Sequence, residues 1–235
     1  MLRNSPHLFG AAAILAAVGP LPATDPFAPQ RERMVREQME SRGIRDAHVL
    51  QAIRVTPRHL FVPESIRAMA YEDCALPIGY AATISQPYIV ALMTELLMPE
   101  KGNRVLEVGT GSGYQAAVLS QLTSHVYTMD IVPELADSAR KTLGSLGYSN
   151  VTVRHGDGYR GWPEHAPFDR IIVTAAPLEV PHTLLDQLAR GGRMVVPVGS
   201  GWEQELILIE KKPDGKIHRT SVLPVIFVPM RPDNP

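Results

Sequence analysis

The spacing of apolar residues divides the chain into two regions with different periods. Up to residue 82 the apolar positions recur at helical spacing. Gly43 and Pro57 are residue types at which helices end, and Asp46 is expected to cap a helix between them. The pattern predicts a cap of short helices over residues 31–82 that finishes in a loop or short strands.

From Ser85 onwards, helical patterns alternate with short β-branched runs. Pro87 predicts the first turn of one helix, and Pro133 predicts the first turn of a later one. The predicted strands are residues 104–108, 125–129, 151–154, 168–174 and 193–198. Because strands that alternate with helices form parallel sheets, the pattern predicts an α/β fold with a doubly wound, mostly parallel sheet.

The C-terminal pattern differs, because two strand-like runs follow one another without a helix between them. Residues 205–210 and 217–228 flank the turn sequence Pro213-Asp214-Gly215. This arrangement predicts an antiparallel hairpin on the edge of the sheet. The predicted organisation is a single domain over residues 31–235, made of the helical cap (31–82), a core (83–200) and the C-terminal hairpin (201–235).

Residues 1–30 fall outside this domain and have more than one interpretation. An apolar run over residues 8–18 follows Arg3 and is too short to span a bilayer comfortably. With a cut after Ala23 it resembles a weak secretory signal. A disordered extension and a start codon assigned too early are the alternatives. Residues 24–30 contain two prolines and predict a linker.

The composition argues against several classes of function. Of the 235 residues, 45% are hydrophobic and 20% are charged, as is usual for one large globular domain. The 23 basic and 24 acidic residues give a net charge of −1, without the basic excess of nucleic-acid-binding proteins. Cys74 is the single cysteine, and no histidines lie at metal-ligand spacing, so neither a disulfide nor a metal site is expected.

A glycine-rich turn follows the strand predicted over residues 104–108. It reads Glu107-Val108-Gly109-Thr110-Gly111-Ser112-Gly113. Glycines that alternate with small hydroxyl residues let a ligand lie against bare backbone, so the turn predicts a site for a nucleoside-bearing cofactor. A strand-to-helix turn without a ligand is the alternative. Dinucleotide-binding turns read G-x-G-x-x-G, a spacing that this turn does not have.

Two further acids follow later strands. Asp130 comes 21 residues after Gly109, where a carboxylate can accept hydrogen bonds from both ribose hydroxyls. Asp157, in His155-Gly156-Asp157-Gly158, can accept from an adenine amino group. The alternatives are a helix-capping role for Asp130, ahead of Pro133, and an Asx turn for Asp157.

Together these motifs resemble the Rossmann-like S-adenosyl-L-methionine-dependent methyltransferases. The glycine turn matches the first motif of that class, Asp130 its ribose acid, and residues 155–158 its adenine loop. The resemblance implies S-adenosyl-L-methionine as cofactor. The candidate cofactor-binding residues are Glu107, Gly109, Thr110, Gly111, Ser112, Gly113, Asp130, Asp157 and Gly158.

The methyl acceptor is a separate question. The segment after the fourth strand reads Thr174-Ala175-Ala176-Pro177-Leu178, which lacks the Asn- or Asp-Pro-Pro-aromatic motif of base-methylating enzymes. A carboxylate acceptor needs no base, because it is already ionised at neutral pH. Its charge disappears on methylation, so neutral hydroxyls suit it better than a strong ion pair. Thr83-Ile84-Ser85 supplies two hydroxyls ahead of a helix, with a plain N-cap as the alternative for Ser85.

Several segments resemble the protein-L-isoaspartate O-methyltransferases over residues 31–229. They are Ala75–Gly79, Thr83–Pro87, Val105–Tyr114, His155–Gly158, Phe168–Ala176, Val196–Gly199 and Phe227–Pro229. Asp130 departs from the pattern, since many family members carry glutamate there. The resemblance implies that Thr83, Ile84 and Ser85 bind substrate and that Ser85 is catalytic. The implied reaction methylates the α-carboxylate of L-isoaspartyl residues in damaged proteins and peptides, and the ester then closes to a succinimide.

We expect a cytoplasmic monomer without nucleic-acid or stable membrane partners, or an exported enzyme if the first 23 residues act as a signal peptide. Three other interpretations stay open at this point. They are a methyltransferase for another small or peptide carboxylate, a non-catalytic cofactor-binding module, and a nicotinamide dehydrogenase, against which the glycine spacing argues.

Overall fold

The computed structural model describes residues 25–233, in which two sheets are formed. The strands are β1 (Leu76–Gly79), β2 (Ala82–Ile84), β3 (Arg104–Val108), β4 (His125–Asp130), β5 (Val151–His155), β6 (Phe168–Val173), β7 (Leu188–Ser200), β8 (Glu203–Lys211) and β9 (Ile217–Pro224). The α-helices are α1 (Ala28–Met34), α2 (Ala47–Val55), α3 (Pro87–Leu97), α4 (Tyr114–Ser120), α5 (Pro133–Ser145) and α6 (His182–Gln187).

The large sheet confirms the predicted fold class. In the described residues it has seven strands in the order β5-β4-β3-β6-β7-β8-β9. The first five are parallel, and β8 and β9 add the antiparallel hairpin at one edge. Alternate residues of each strand face opposite sides. Val105 therefore joins a core with helices α2 to α5, whereas Leu106 joins a core with α6.

The helical cap begins earlier than the sequence pattern indicates. The sequence predicts a linker over residues 24–30, but α1 starts at Ala28 and residues 25–30 pack on the cap. Asp25 pairs with the buried Arg31 at 2.8 Å, and the ring of Phe27 stacks on that of His59, with 4.3 Å between centroids. The linker prediction is therefore wrong for residues 25–30. The rest of the N-terminal extension lies outside the described residues.

Two local signals in the cap are confirmed. The helix that starts with α1 continues through a π turn (Val35–Met39) and a 3₁₀ turn (Glu40–Arg42), and it ends at Gly43 with φ at 96°. The carboxylate of Asp46 caps α2 by accepting hydrogen bonds from two backbone N–H groups. Both features depend on neighbouring residues only, and for this reason the sequence predicts them.

The end of the chain departs from the predicted hairpin. Strand β9 ends at Pro224, four residues before the predicted limit, and the following segment turns back across the carboxyl edge of the sheet. There the backbone of Ala176 accepts from Met230 and donates to Val228, both at 2.8 Å. Residues 225–230 therefore leave the sheet and close one side of a cleft.

Residues 25–233 contain neither a candidate membrane-spanning helix nor a candidate metal cluster. None of their helices combines the length and apolarity needed to cross a bilayer, and none of their His, Cys, Asp or Glu side chains gather in threes as metal ligands do.

Candidate active site

A cleft opens at the carboxyl ends of the parallel strands, where α/β sheets bind ligands. It holds about 930 Å³ of empty space, counting its open mouth. Its walls come from the turn after β3, the ends of β4 and β6, the β1–β2 hairpin and the C-terminal segment. The predicted site residues on these walls are Thr83, Ile84, Ser85, Glu107, Gly109, Thr110, Gly111, Ser112, Asp130 and Gly158.

The glycine turn has the backbone geometry that the sequence predicts. Gly109, Gly111 and Gly113 have φ values of 101°, 52° and 86°, a region that side chains with a Cβ rarely adopt. At Gly109 there is also no room, because a Cβ would lie 2.3 Å from Oγ1 of Thr174. The turn thus needs glycine for both conformation and close approach, and it leaves bare backbone facing the cleft.

Asp130 lies at the end of β4 and holds the glycine turn in place. Its Oδ2 accepts from the N–H of Gly111 at 2.8 Å, and its Oδ1 accepts from the N–H of Val132 at 3.0 Å. Burial raises the pKa of this carboxyl, against the lowering effect of the two N–H donors. Helix α5 has Val132 at its N-cap, so Asp130 is not the capping residue. Each oxygen keeps a second lone pair for a ligand.

Glu107 is fully buried beside the cleft. Neither of its carboxyl oxygens has a hydrogen-bond partner among residues 25–233. The hydroxyl of Thr128 shares a hydrogen bond of 2.7 Å with the hydroxyl of Thr110, and its nearness partly offsets the effect of burial on the pKa of Glu107. Desolvation consequently raises the pKa of Glu107 to about 8. An unpartnered acid in such a place is suited to a ligand that carries positive charge.

The structure separates the two residues predicted for the adenine loop. Gly158 lines the cleft, and a Cβ there would lie 2.3 Å from Val108. The carboxylate of Asp157 instead accepts from the N–H of Tyr159 at 2.8 Å, which is the Asx turn given above as the alternative. A role for Asp157 toward adenine stays a prediction.

The Thr83-Ile84-Ser85 segment joins the small hairpin to α3. Thr83 is exposed, Ser85 is half-buried, and Ile84 is buried beneath them. Within the described residues, the N-cap of α3 is Gln86 and no side chain caps this helix. The Ser85 hydroxyl is therefore not used as a cap, and it faces the same cleft as the glycine turn.

Sequence reasoning missed Arg58, a fully buried cation behind this segment. Its Nε donates to the carbonyl of Ala70 at 2.7 Å, and its Nη2 donates to the carbonyl of Ser85 at 2.8 Å. The guanidinium carbon also lies 4.9 Å from the ring centre of Tyr114, which lines the cleft. These contacts span 12, 27 and 56 positions in the chain, so no local pattern marks them.

The geometry fits a cationic nucleoside cofactor, because bare backbone, a carboxylate with spare lone pairs and an unpartnered buried acid converge on one cleft. On this fold, these features define a Rossmann-like methyltransferase that uses S-adenosyl-L-methionine. A family model described as "Protein-L-isoaspartate(D-aspartate) O-methyltransferase" matches residues 29–234. The chain belongs to that family.

Similar proteins carry the same name. A protein-L-isoaspartate O-methyltransferase of Synechococcus sp. is 56% identical over 218 residues, which are 90% of this chain and 89% of that one. One of Gloeobacter violaceus is 52% identical over 86% of this chain and 98% of its own.

Solved structures agree with these relatives. One protein-L-isoaspartate O-methyltransferase has a TM-score of 0.77 at 33% identity and is matched over 85% of this chain and 65% of that longer one. A putative one from Plasmodium falciparum, in complex with S-adenosyl-L-homocysteine, has a TM-score of 0.74 at 25% identity, over 86% and 98% of the two chains. The family, the methyltransferase class and the cofactor expected from the sequence are therefore confirmed.

Proposed function

We propose that this chain methylates the α-carboxylate of L-isoaspartyl residues in damaged proteins and peptides, and that Ser85 and Thr83 hold that carboxylate. One observation carries the proposal. The Ser85 hydroxyl is free of any capping role and lines the same cleft as the glycine turn. Bound S-adenosyl-L-methionine supplies an electrophilic methyl group, which a carboxylate oxygen can take up without a base.

The residues that would hold the cofactor follow from their positions in the cleft. Asp130 has lone pairs for ribose hydroxyls, and Gly109 and Gly111 offer bare backbone to the cleft. Gly113 lies outside the cleft lining, as the N-cap of α4 packed against α5. Glu107 would balance the positive charge of the ligand. Gly158 lines the part of the cleft where the base would lie, and Asp157 is kept as the candidate acceptor for its amino group.

Arg231 lines the cleft, and Arg42 and Arg58 also lie near the acceptor side. Arg42 lines the same groove as Ser85 and already pairs with Asp73 at 3.1 Å. Arg58 is buried, and two of its nitrogens donate to carbonyl groups. Weak, neutral contacts from Thr83 and Ser85 would align the carboxylate without stabilising its charge. This favours transfer, because the charge is lost in the transition state.

The later steps need no further group from the protein. The methyl ester is a better electrophile than the carboxylate. The neighbouring backbone nitrogen can therefore attack the ester carbonyl carbon and close a succinimide, while the methoxy group leaves as methanol with the proton of that nitrogen. Hydrolysis of this ring partly restores aspartate. The enzyme is thus proposed to start repair and then release its product.

Incubation of the purified protein with methyl-labelled S-adenosyl-L-methionine and an isoaspartyl peptide tests this proposal. The matched control is the same peptide with a normal aspartyl residue. We expect base-labile label on the isoaspartyl peptide only. Equal labelling of both peptides would indicate another carboxylate substrate, and cofactor binding without ester would indicate a non-catalytic module.

We also propose that the enzyme acts as a cytoplasmic monomer without nucleic-acid or membrane partners. The net charge of −1 supports the proposed lack of nucleic-acid partners. Light scattering on the purified protein tests the monomer. The N-terminal mass of the protein isolated from its own cells shows whether the first 23 residues are removed, which is the outcome expected for an exported enzyme.

A further inference from the structure

An exposed apolar surface lies beside the active-site cleft. Trp202, Leu178 and Ile226 expose 86%, 72% and 64% of their surface, the largest fractions among the large apolar side chains of residues 25–233. All three line one groove, and we call them the apolar ledge. Clustered apolar side chains in contact with water mark binding surfaces.

The ledge is held in place by backbone and buried polar contacts. Its members come from the loop after β6, the β7–β8 turn and the segment after β9. The N–H of Gly199 donates to the carbonyl of Pro177 at 3.0 Å, which joins the first two. The buried amide of Gln204 accepts from the N–H of Phe227 at 2.7 Å and donates to its carbonyl at 3.0 Å, which joins the third. A surface held in this way loses little entropy on binding.

The ledge is continuous with the proposed acceptor site. A second groove is lined by Trp202 and Ile226 of the ledge and also by Thr83, Ser85 and Thr174. Any polypeptide that places an isoaspartyl residue at Ser85 therefore has neighbouring residues within reach of the ledge. Phe227 lines both grooves and adds to the apolar surface between them.

The lining of the ledge groove indicates the chemistry of its occupant. No charged side chain lines this groove in the described part of the chain. Sites for lipid headgroups gather clusters of basic residues, and no such cluster lines this groove among residues 25–233. An apolar side chain of a polypeptide fits this groove, because it gains from contact with apolar surface and needs no charged partner.

We propose that the ledge binds an apolar side chain of the substrate, adjacent in sequence to the isoaspartyl residue, and that Trp202 makes the main contact. This inference rests on the proposed function. It predicts that the enzyme selects among damaged sites by their apolar neighbours. A second copy of this chain and a lipid surface are the rival occupants.

Methylation rates of matched isoaspartyl peptides test the ledge. One pair carries Leu or Gly on the amino side of the isoaspartyl residue, and a second pair carries them on the carboxyl side. We expect kcat/KM to favour Leu about tenfold on one side, as one apolar group does in a hydrophobic pocket. Trp202→Ala should reduce this preference to below about twofold, mainly by lowering kcat/KM for the Leu peptides. Trp202 is exposed, so the variant should fold normally.

Met69→Ala is the matched control, because Met69 is 47% exposed and lines neither groove. It should keep the Leu preference. Equal rates for Leu and Gly peptides in the unmodified enzyme would overturn the ledge and leave the proposed function standing. Failure to methylate any isoaspartyl peptide would overturn both. A different outcome is that the unmodified enzyme shows no peptide preference and forms a concentration-dependent dimer or binds phosphatidylcholine vesicles. If Trp202→Ala abolishes that association, the ledge belongs to the rival occupant.

Discussion

Nη2 of Arg58 lies 2.8 Å from the carbonyl oxygen of Ser85, so a buried cation anchors the segment proposed to hold the substrate. Arg58 pairs with no carboxylate in residues 25–233, and its Nη1 has no hydrogen-bond partner there. Burial lowers the pKa of Arg58 to about 10, which leaves it charged at neutral pH. Its contact with the ring of Tyr114 links this segment to the helix that follows the glycine turn.

Arg58→Met is expected to move Ser85 and to weaken the fold. The carbonyl groups of the buried Ala70 and the half-buried Ser85 lose their donor, which costs up to about 1–3 kcal/mol each in the free energy of unfolding. The KM for an isoaspartyl peptide should rise by a larger factor than the Kd of the cofactor does. Arg58→Lys should reverse part of this rise in KM. Urea unfolding and steady-state kinetics measure both effects.

Arg31→Met is the control for that experiment. Arg31 is also buried, but it pairs with Asp25 and donates to the carbonyl of Arg54, away from the cleft. The Arg31→Met substitution should lower the free energy of unfolding without a selective change in the KM for the isoaspartyl peptide. If both variants shift KM equally, Arg58 has only a structural role.

Ser85→Ala is expected to lower kcat on an isoaspartyl peptide by about 10–100-fold, because misalignment of the acceptor carboxylate is costly. The Kd of S-adenosyl-L-methionine should change little. Stability should also change little, since Ser85 is half-buried and Gln86 holds the N-cap position. Methyl-transfer assays and calorimetric titration give the two quantities, and unchanged turnover would remove Ser85 from the mechanism.

Asp130→Asn is expected to weaken cofactor binding by about tenfold or more, because hydrogen bonds to a charged group contribute about 1.5–3 kcal/mol. Asp130 now accepts from the N–H groups of Gly111 and Val132, and the N–H₂ group of an asparagine would face one of these donors as a second donor. Asp169→Asn is a matched control. Asp169 accepts from the N–H of Arg104 at 2.8 Å, at the opposite end of β3. Titration should show a raised Kd for the first variant alone.

Glu107 is expected to make the stability of the cofactor-free protein depend on pH. The folded protein keeps the Glu107 proton up to a pKa of about 8, whereas the unfolded chain loses it near 4.5. The folded state therefore binds more protons between these values, and the free energy of unfolding falls as pH rises through this window.

Glu107→Gln stays neutral and should remove this slope. Above pH 8 the variant should be more stable than the unmodified protein by on the order of 2–4 kcal/mol, since each pKa unit corresponds to about 1.4 kcal/mol. Its affinity for the cationic cofactor should fall. Urea unfolding at several pH values between 5 and 9 measures the effect, and identical slopes for the two proteins would contradict it.

Several elements were predictable because their causes lie within a few residues. The alternation of strands and helices from residue 85 reflects local periodicity. The cap of α2 by Asp46 depends on its own side chain, and the positive φ values of the glycine turn depend on residues that lack a Cβ. The position of Asp130 at the end of a parallel strand follows from the same local pattern.

Other features depend on contacts between distant parts of the chain. Pro224 ends β9, and the next residues then pair with Ala176, which no spacing in either segment reveals. Asp157 could serve an adenine or its own turn, and only the folded loop assigns its carboxylate to Tyr159.

The amino-acid sequence by itself thus determined the type and order of most elements, the glycine turn and the family resemblance, because these depend on residues close together in the chain. The tertiary structure decided which side chains share the cleft, that Arg58 stands behind Ser85, and that an apolar ledge borders the acceptor groove. The physical reason is that desolvation and partner choice are set by neighbours in space, and these come from segments far apart along the chain.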